Sequence, residues 1–118
     1  MENLENLKIL HDLQQTLQSR KNADPTQSYT AKLFHKGNDA LLKKFAEESA
    51  EFALAAKDFQ FASNSQNQQH LIYEAADVMY HFLATLTFHN LDFADVCKEL
   101  KRREGTSGIA EKNSRKEK

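Results

Sequence analysis

The sequence predicts an all-α protein, a single domain over residues 1–118 built as a bundle of about four to five helices. Only one Pro and three Gly occur among the 118 residues, so few positions would interrupt a helix. Apolar residues recur mostly at intervals of three and four, which is the period of an amphipathic helix. A hydrophobic content of 40% permits only a modest core. We therefore expect a homodimer or a higher homo-oligomer to complete that core.

Charge and composition exclude several classes of partner. The formal net charge is −1 with 28% charged residues, so no basic excess favours nucleic acid or an anionic membrane. The N-terminus, Met1 to Glu5, lacks the basic and apolar regions of a signal peptide, and the single Cys97 cannot form an internal disulfide. We expect a cytoplasmic protein.

The chain opens with an N-terminal helix and turn over residues 1–27. The helix is predicted from about Glu2 to Lys21, because its leucines form one apolar stripe with polar residues elsewhere. These leucines are Leu4, Leu7, Leu10, Leu13 and Leu17. Asp24-Pro25 then signals a turn. We expect this helix to pack and to carry no chemistry.

A short second helix and a long third helix follow. Ser28 is a suitable N-cap for a helix over residues 29–36, and Gly37 is suited to end it. The third helix is predicted from residue 38 or 39 to residue 58. Its apolar arc consists of Leu41, Leu42, Phe45, Phe52, Ala53 and Ala56. Its acidic residues fall mostly outside that arc, so on this helix alone they resemble an ordinary solvated face.

A loop and a fourth helix come next. The polar run over residues 61–69 predicts the loop, with Ser65 or Asn67 as the candidate N-cap. The helix is predicted from about Gln68 to Asn90. Apolar side chains surround it on all sides, which predicts burial at the centre of a bundle or across a dimer interface. It is not a credible membrane span, because acids and histidines interrupt it.

The chain ends in a fifth helix and a polar tail over residues 105–118. Asp92 is the predicted N-cap of the helix, which ends in three basic residues before Gly105, an arrangement that suits the helix dipole. The residues that it is expected to bury are Phe93, Val96, Cys97 and Leu100. We interpret Cys97 as a core residue and not as a nucleophile. The tail looks too polar to fold alone, although its glycines and hydroxyls could close over a phosphate.

Five carboxylates at helical spacing, Glu47 and four others, are the strongest chemical signal. Glu48 and Glu51 lie on one side of the third helix, and Glu74 and Asp77 repeat the i, i+3 spacing on the fourth. If the two helices pair antiparallel, the acids converge, and their repulsion and lost hydration call for a cation. An all-oxygen ligand set suits Mg²⁺ or Mn²⁺ and not Zn²⁺. A buried salt bridge kept for packing specificity is the alternative.

His81 shares the polar stripe of Glu74 and Asp77. It is not expected to bind Zn²⁺, since no Cys or second His stands at ligand spacing. A hydrogen bond to a ligating carboxylate fits it better. A di-iron bundle is not expected either, because neither acidic pair continues as two Glu-x-x-His motifs.

Longer motifs carry a resemblance to a known family. Residues 47–51 and 74–77 match the pattern E-E-x-x-E followed by E-x-x-D. Further matches are the segment Ser28 to Phe34 with Lys36-Gly37, the pair Tyr80-His81, and residues 103–112. On these motifs the sequence resembles the phosphoribosyl-ATP pyrophosphatases of histidine biosynthesis, a branch of the MazG-like all-α nucleotide pyrophosphohydrolases. Ala46 stands where such sequences often have glycine, which should not disturb a helix, and no cyclohydrolase domain is attached, so we expect a stand-alone enzyme.

The resemblance implies an activity and a set of residues. The reaction is the hydrolysis of phosphoribosyl-ATP to phosphoribosyl-AMP and pyrophosphate with Mg²⁺, for which Mn²⁺ is a possible substitute. The expected metal ligands are Glu48, Glu51, Glu74 and Asp77, with Glu47 as a further ligand or as the base that activates water. The expected catalytic residues are Glu47, Glu48 and Lys44. The expected substrate contacts are Lys36, Lys44, His81, Arg103, Ser107 and Lys112.

Two other functions stay open on the acidic motifs alone. A house-cleaning pyrophosphohydrolase acting on free NTP or dNTP would need the same acids, but the tail and the Ser-Tyr-Thr segment argue against it. A non-catalytic helical dimer would use its buried acids only for specificity. Metal dependence separates that second alternative from either enzyme.

Overall fold

The computed structural model of the chain describes residues 2–105 and 108–116. Within these ranges the chain forms six α-helices and no strand, which confirms the predicted all-α class. The helices are α1 (Glu2–Arg20), α2 (Tyr29–Lys36), α3 (Asn38–Phe61), α4 (Ser65–Phe88), α5 (Phe93–Glu104) and α6 (Gly108–Lys116). In the described part of the chain, no helix is both long and apolar enough to cross a membrane.

Local hydrogen bonds fix the position of α2 ahead of α3. Asp24 closes the preceding turn, since its Oδ1 accepts from the backbone N–H of Thr26 at 2.9 Å and from the Thr26 hydroxyl at 2.8 Å. Ser28 caps α2 by accepting the Ala31 N–H at 3.1 Å. Gly37 ends α2 with a φ of +98°, a conformation that glycine adopts without strain. The predicted cap and the predicted stop are both confirmed.

The hairpin of α3 and α4 is longer than predicted, and its connection is shorter. The third helix continues to Phe61, beyond its expected end at residue 58, and the fourth begins at Ser65. The predicted loop over residues 61–69 and the predicted helix start at Gln68 are therefore wrong. Only residues 62–64 separate the two helices.

Asparagine side chains account for this short connection. Asn64, and not Ser65 or Asn67, is the N-cap of α4, because its Oδ1 accepts the backbone N–H of Asn67 at 2.8 Å. The Asn67 side chain in turn donates to the Ala62 carbonyl at 2.9 Å. The polar run thus forms the first turn of a helix and ties it to the end of the preceding one.

The core lies where α1 and α2 pack against the C-terminal half of α4 and the start of α3. Its buried apolar members are Leu17, Leu33, Phe34, Leu41, Leu83 and Ala84. Gln14 links α1 to the α4–α5 connection: its Nε2 donates to the Leu91 carbonyl at 3.0 Å, and its Oε1 accepts the Phe93 N–H at 2.8 Å. Because Gln14 is buried, these bonds satisfy its amide and fix where α5 begins.

Burial along α4 is uneven. Leu83, Ala84 and Thr87 are fully covered, whereas Ile72 and Tyr73 are 53% and 64% exposed. The expectation that this helix is buried on every side is therefore wrong for its N-terminal half within one chain. Helix α3 packs along the whole length of α4. Helices α1 and α2 cover only the C-terminal half of α4, which carries the core.

The fifth helix has the predicted start but not the predicted burial. Asp92 caps it, and Asp95 Oδ2 accepts the Asp92 N–H at 3.0 Å to complete a capping box. Cys97 and Leu100 are exposed, so their assignment to the core is wrong. This helix packs chiefly on α1, which covers only part of its apolar face.

The C-terminal tail contains a helix. Residues 108–116 form α6, so the expectation of a tail that does not fold is wrong over that range. Its alanine, lysine, arginine and glutamate residues are strong helix formers, and this local preference accounts for a helix whose Ile109 is 77% exposed.

Candidate active site

Three carboxylates from the α3–α4 hairpin lie together, and we call them the acid cluster. Glu48 of α3 and Glu74 and Asp77 of α4 each offer one carboxylate oxygen, and these oxygens all lie within 4.8 Å of one another. Glu48 and Glu74 are only 7% and 6% exposed, and Asp77 is partly buried. The antiparallel pairing of the two helices brings these acids into one interface.

The burial of Glu48 overturns the interpretation of the third helix as a solvated acidic face. The buried residues of this helix are Leu41, Glu48 and Ala55, which follow at intervals of seven and so form one line facing α4. Leu42 and Phe52 belong to the predicted apolar arc, but they are 47% and 38% exposed. The sequence pattern misplaced the arc because the helix has apolar residues on more than one side.

Two oxygens of the acid cluster have no hydrogen-bond partner. Oε2 of Glu48 and Oε2 of Glu74 are both buried, and neither has a donor within the described residues. Burial raises the pKa of each of these carboxyls, and the charges of Glu51 and Asp77 raise it further. Buried acceptors without donors cost free energy. A cation bound between these oxygens would offset that cost.

Two bases lie next to the acid cluster without completing it. Lys44 Nζ is 3.7 Å from a carboxylate oxygen of Glu48 and 3.7 Å from one of Glu47, and His70 Nε2 is 3.8 Å from Glu74 Oε1. These bases oppose the rise in the pKa of the buried acids, but burial outweighs them. Each contacts only one oxygen of its buried acid, so the other oxygen stays open to a ligand.

Glu51 and Glu47 lie at the edge of the acid cluster. Glu51 is exposed, yet its charge raises the pKa of both Glu48 and Glu74. Glu47 is also exposed and pairs with Lys44. Three of the five expected metal ligands therefore form the tight group, and the other two flank it.

His81 supports the acid cluster through the main chain. Its Nδ1–H donates to the Asp77 carbonyl at 2.8 Å, since a carbonyl can only accept, and its Nε2 faces the Tyr29 hydroxyl at 3.5 Å. The expected bond to a ligating carboxylate is therefore not the one that forms, because the carbonyl one turn earlier on the same helix is within reach. The neighbouring Tyr80 hydroxyl bonds the Thr30 hydroxyl. His81 thus ties α4 to the start of α2.

A groove lies beside the acid cluster, between α2 and α3, and we call it the lysine groove. It has a volume of about 470 Å³ and is open to solvent. Its lining residues are Tyr29, Leu33, Lys36, Ala40, Lys43, Lys44 and Glu47. Lys44 joins it to the acid cluster, since the same ammonium contacts Glu48. The expected phosphate contacts Lys36 and Lys44 are therefore brought together.

The remaining expected contacts lie elsewhere. Arg103 Nε donates to Glu99 Oε1 at 3.3 Å on its own helix, and Lys112 is exposed on α6. In the described ranges neither residue forms an ion pair with the acid cluster. Ser107 lies outside the described residues.

Sequence reasoning missed three residues near the site. These are Tyr29 and Lys43 in the lysine groove and His70 beside Glu74. Helical spacing could have predicted two of them. His70 lies four residues before Glu74, and Tyr29 lies seven residues before Lys36 on one face of α2. Lys43 had no such signal, because its position depends on how α2 packs on α3.

Comparison with known proteins decides the family. The phosphoribosyl-ATP pyrophosphohydrolase family matches residues 10–104 of this chain. The chain belongs to this family. The relative from Dechloromonas aromatica is 50% identical over 107 residues, which cover 91% of this chain and 93% of the relative. That from Nitrosospira multiformis is 50% identical over 92% of this chain and 84% of the relative. A third, from Chromobacterium violaceum, is 48% identical over 92% and 94%.

All three of these relatives are named phosphoribosyl-ATP pyrophosphatase. The phosphoribosyl-ATP pyrophosphohydrolase family assignment confirms the resemblance found in the motifs, and it makes the chain an enzyme, a hydrolase of a phosphoric anhydride. The match begins within α1 and ends with α5, so it includes both the acid cluster and the lysine groove.

Proposed function

We propose that this chain hydrolyses phosphoribosyl-ATP to phosphoribosyl-AMP and pyrophosphate in histidine biosynthesis, as a single-domain cytoplasmic enzyme that uses Mg²⁺, or Mn²⁺ in its place. One observation carries the proposed metal site: two buried carboxylate oxygens, on Glu48 and Glu74, have no donor in the described ranges. Family membership and the shared name of the relatives support the substrate.

The donors of the acid cluster fit Mg²⁺. Glu48, Glu74 and Asp77 offer only oxygen, and hard divalent cations prefer carboxylate oxygen, whereas Zn²⁺ prefers nitrogen and sulfur. Glu51, at the edge of the cluster, is the proposed fourth ligand. When bound, Mg²⁺ supplies positive charge for the triphosphate oxygens and lowers the pKa of a bound water.

Hydrolysis needs a water molecule that is oriented and deprotonated as it attacks. Glu47 lies outside the tight group and pairs with Lys44 at 3.7 Å, and this position favours the role of activating water over that of a further ligand. The water oxygen bonds to phosphorus as the α–β anhydride bond breaks, and pyrophosphate leaves with the electron pair of that bond. No covalent intermediate with the protein is required.

Cationic side chains would bind the phosphates. Lys44 is the proposed catalytic cation, because it contacts both Glu47 and Glu48 and so lies where the scissile phosphates must be. The pKa of Lys44 is raised by Tyr29 first and by the two acids next, which keeps it protonated for a charge-assisted hydrogen bond to phosphate. The other proposed substrate contacts are Lys36, His81, Arg103, Ser107 and Lys112, the last three on the strength of the tail motif.

We also propose a homodimer, formed through the outer half of the α3–α4 hairpin. Leu54, Phe61, Ile72 and Tyr73 are 65%, 95%, 53% and 64% exposed there. The chain exposes 8901 Å², whereas a compact monomer of its mass exposes about 6,500 Å². Its radius of gyration of 17.0 Å likewise exceeds the roughly 13.5 Å of a compact domain of this length. Light scattering of the purified chain should give at least twice the mass of one chain.

The substrate is tested by offering phosphoribosyl-ATP, ATP and dUTP side by side with Mg²⁺ and measuring pyrophosphate. The proposal expects rapid release from phosphoribosyl-ATP alone. Preference for a free nucleotide would contradict it and favour the house-cleaning alternative. No release from any of the three substrates would favour a helical dimer without catalytic function.

A further inference from the structure

The lysine groove carries an uncompensated positive charge. Lys36, Lys43 and Lys44 line it against a single acid, Glu47, and that acid is already paired with Lys44. Neither Lys36 nor Lys43 has an ion-pair partner within the described ranges. The whole chain has a net charge of −1, so this local excess of cations is not a general property of the surface. It marks a place for an anion.

The groove also offers apolar surface and length. Leu33 is buried at its base, and the half-exposed ring of Tyr29 forms part of its wall. Such surface suits a sugar or a base attached to the anion better than a bare inorganic ion. The groove runs toward the turn at Gly37, which lies about 16 Å along α3 from Glu48 at 1.5 Å per residue. It is thus longer than the leaving pyrophosphate requires.

The inner end of the groove meets the acid cluster. Lys44 is shared between the two, and the Tyr29 hydroxyl in the groove faces His81, which bonds the main chain of Asp77. A ligand whose triphosphate lies at the acid cluster would therefore extend its other end into the groove. Under the proposed function the substrate has a phosphate at both ends, a triphosphate on the adenosine and a monoester phosphate on the added ribose. ATP has only the first.

We infer that the lysine groove binds the monoester phosphate of the phosphoribosyl arm through Lys36 and Lys43, and that it thereby distinguishes phosphoribosyl-ATP from ATP. This inference rests on the proposed function and deepens it. Lys43 and Lys36 are then specificity residues, whereas Lys44 serves the triphosphate. Lys36 and Lys43 are not needed for metal binding or for the chemical step itself.

The test compares Lys36→Gln, Lys43→Gln and the double variant with wild type. KM for phosphoribosyl-ATP and the inhibition constant of ATP against it are measured with Mg²⁺. Each variant should raise KM for phosphoribosyl-ATP about tenfold, because it loses one charge-assisted contact to phosphate. The inhibition constant of ATP should change by less than about twofold. Lys32→Gln is the matched control, because it removes the same charge from α2 at an exposed residue that does not line the groove.

Each other outcome overturns the inference. Equal weakening of phosphoribosyl-ATP and ATP would assign the groove to the triphosphate, and unchanged constants for both would leave the groove without a role in binding. Ribose 5-phosphate is a second probe: it should inhibit the wild type and lose that effect in the single variants, which guards against a double variant that does not fold. A wild type that releases no pyrophosphate from phosphoribosyl-ATP would instead contradict the proposed function itself, and the inference with it.

Discussion

Glu99 on α5 and the buried acids Glu48 and Glu74 in the α3–α4 hairpin are carboxylates in opposite surroundings. Glu99 accepts hydrogen bonds from Arg102 Nη2 at 2.8 Å and from Arg103 Nε at 3.3 Å. These bonds lower the pKa of Glu99 to about 2. Burial and neighbouring acids instead raise the pKa of Glu48 and Glu74, and each of these leaves one oxygen without a donor in the described ranges.

The difference in pKa and in hydrogen bonding shows that Glu99 belongs to a local surface contact, whereas Glu48 and Glu74 belong to an incomplete site. The Glu99 pairs join residues three and four apart on one helix, and they need nothing from outside the chain. The acid cluster joins two helices, places like charges close together and satisfies only part of its oxygens. A group of acids that costs stability in the free chain is expected to be kept for a ligand.

Loss of one acid from the cluster should have the largest effect. We expect Asp77→Asn, and likewise Glu51→Gln, to reduce pyrophosphate release from phosphoribosyl-ATP at least about a hundredfold, because each removes a charged ligand of the metal. The variants should keep the helical circular dichroism and the mass of the wild type. Asp58→Asn is the control, an exposed acid on α3 outside the cluster. Near-normal turnover of Asp77→Asn would contradict the metal-site assignment.

Metal binding should also be visible as stability. Adding Mn²⁺ at about a hundredfold excess over its dissociation constant should raise Tm of the wild type by on the order of 10 °C. The rise should be lost in Glu48→Gln and retained in Glu99→Gln. Thermal unfolding with and without EDTA measures it. A shift of equal size in Glu48→Gln would place the metal elsewhere.

The pH dependence of stability should have opposite signs at the two kinds of carboxylate. Glu48 and Glu74 have a pKa above the usual 4.5 in the folded chain, so their protonated form stabilises the fold below 4.5 and that contribution is lost as the pH rises through the raised pKa. In EDTA at neutral pH, the double variant Glu48→Gln with Glu74→Gln should therefore have a higher Tm than the wild type. The gap should close as the pH falls toward 4.5, and a gap that widens would contradict the sign.

Removal of the surface pair should have the smallest effect. Glu99→Gln should lower Tm by about 1 °C or less at neutral pH, because exposed ion pairs contribute little. The Arg102 and Arg103 bonds lower the pKa of Glu99, so the small contribution of this solvent-screened pair is present above 4.5 and is lost as the pH falls below that value. Thermal unfolding at neutral pH tests the size of the effect. A drop of many degrees would show that α5 depends on this pair.

The sequence predicted the fold where local signals are strong. The Ser28 cap, the Gly37 stop and the Asp92 cap were all predicted correctly, because each depends on residues within four positions of one another. The connection over residues 62–64 was not, because serine, asparagine and glutamine favour a loop and a helix start alike. The exposure of Cys97 depends on how much of α5 is covered by α1, which no local pattern encodes.

The candidate site was predicted in part for a similar reason. The i, i+3 spacing on two helices was enough to bring Glu48, Glu74 and Asp77 together once the helices pair. The burial of Glu48 could not be seen on α3 alone, and Lys43 entered the lysine groove only through the packing of α2 on α3. A site formed by two helices can be predicted from the sequence only when both helices carry the same spacing of site residues.

The most direct test of the account is a titration of Mn²⁺ against the metal-free wild type and Glu74→Gln, followed by the electron paramagnetic resonance signal of the free ion. The account predicts that the wild type removes that signal stoichiometrically at micromolar concentrations, and that Glu74→Gln, folded and of unchanged mass, does so at least about tenfold more weakly. Equal binding by the two proteins would contradict the claim that the buried, unpartnered acids of the α3–α4 hairpin form the metal site.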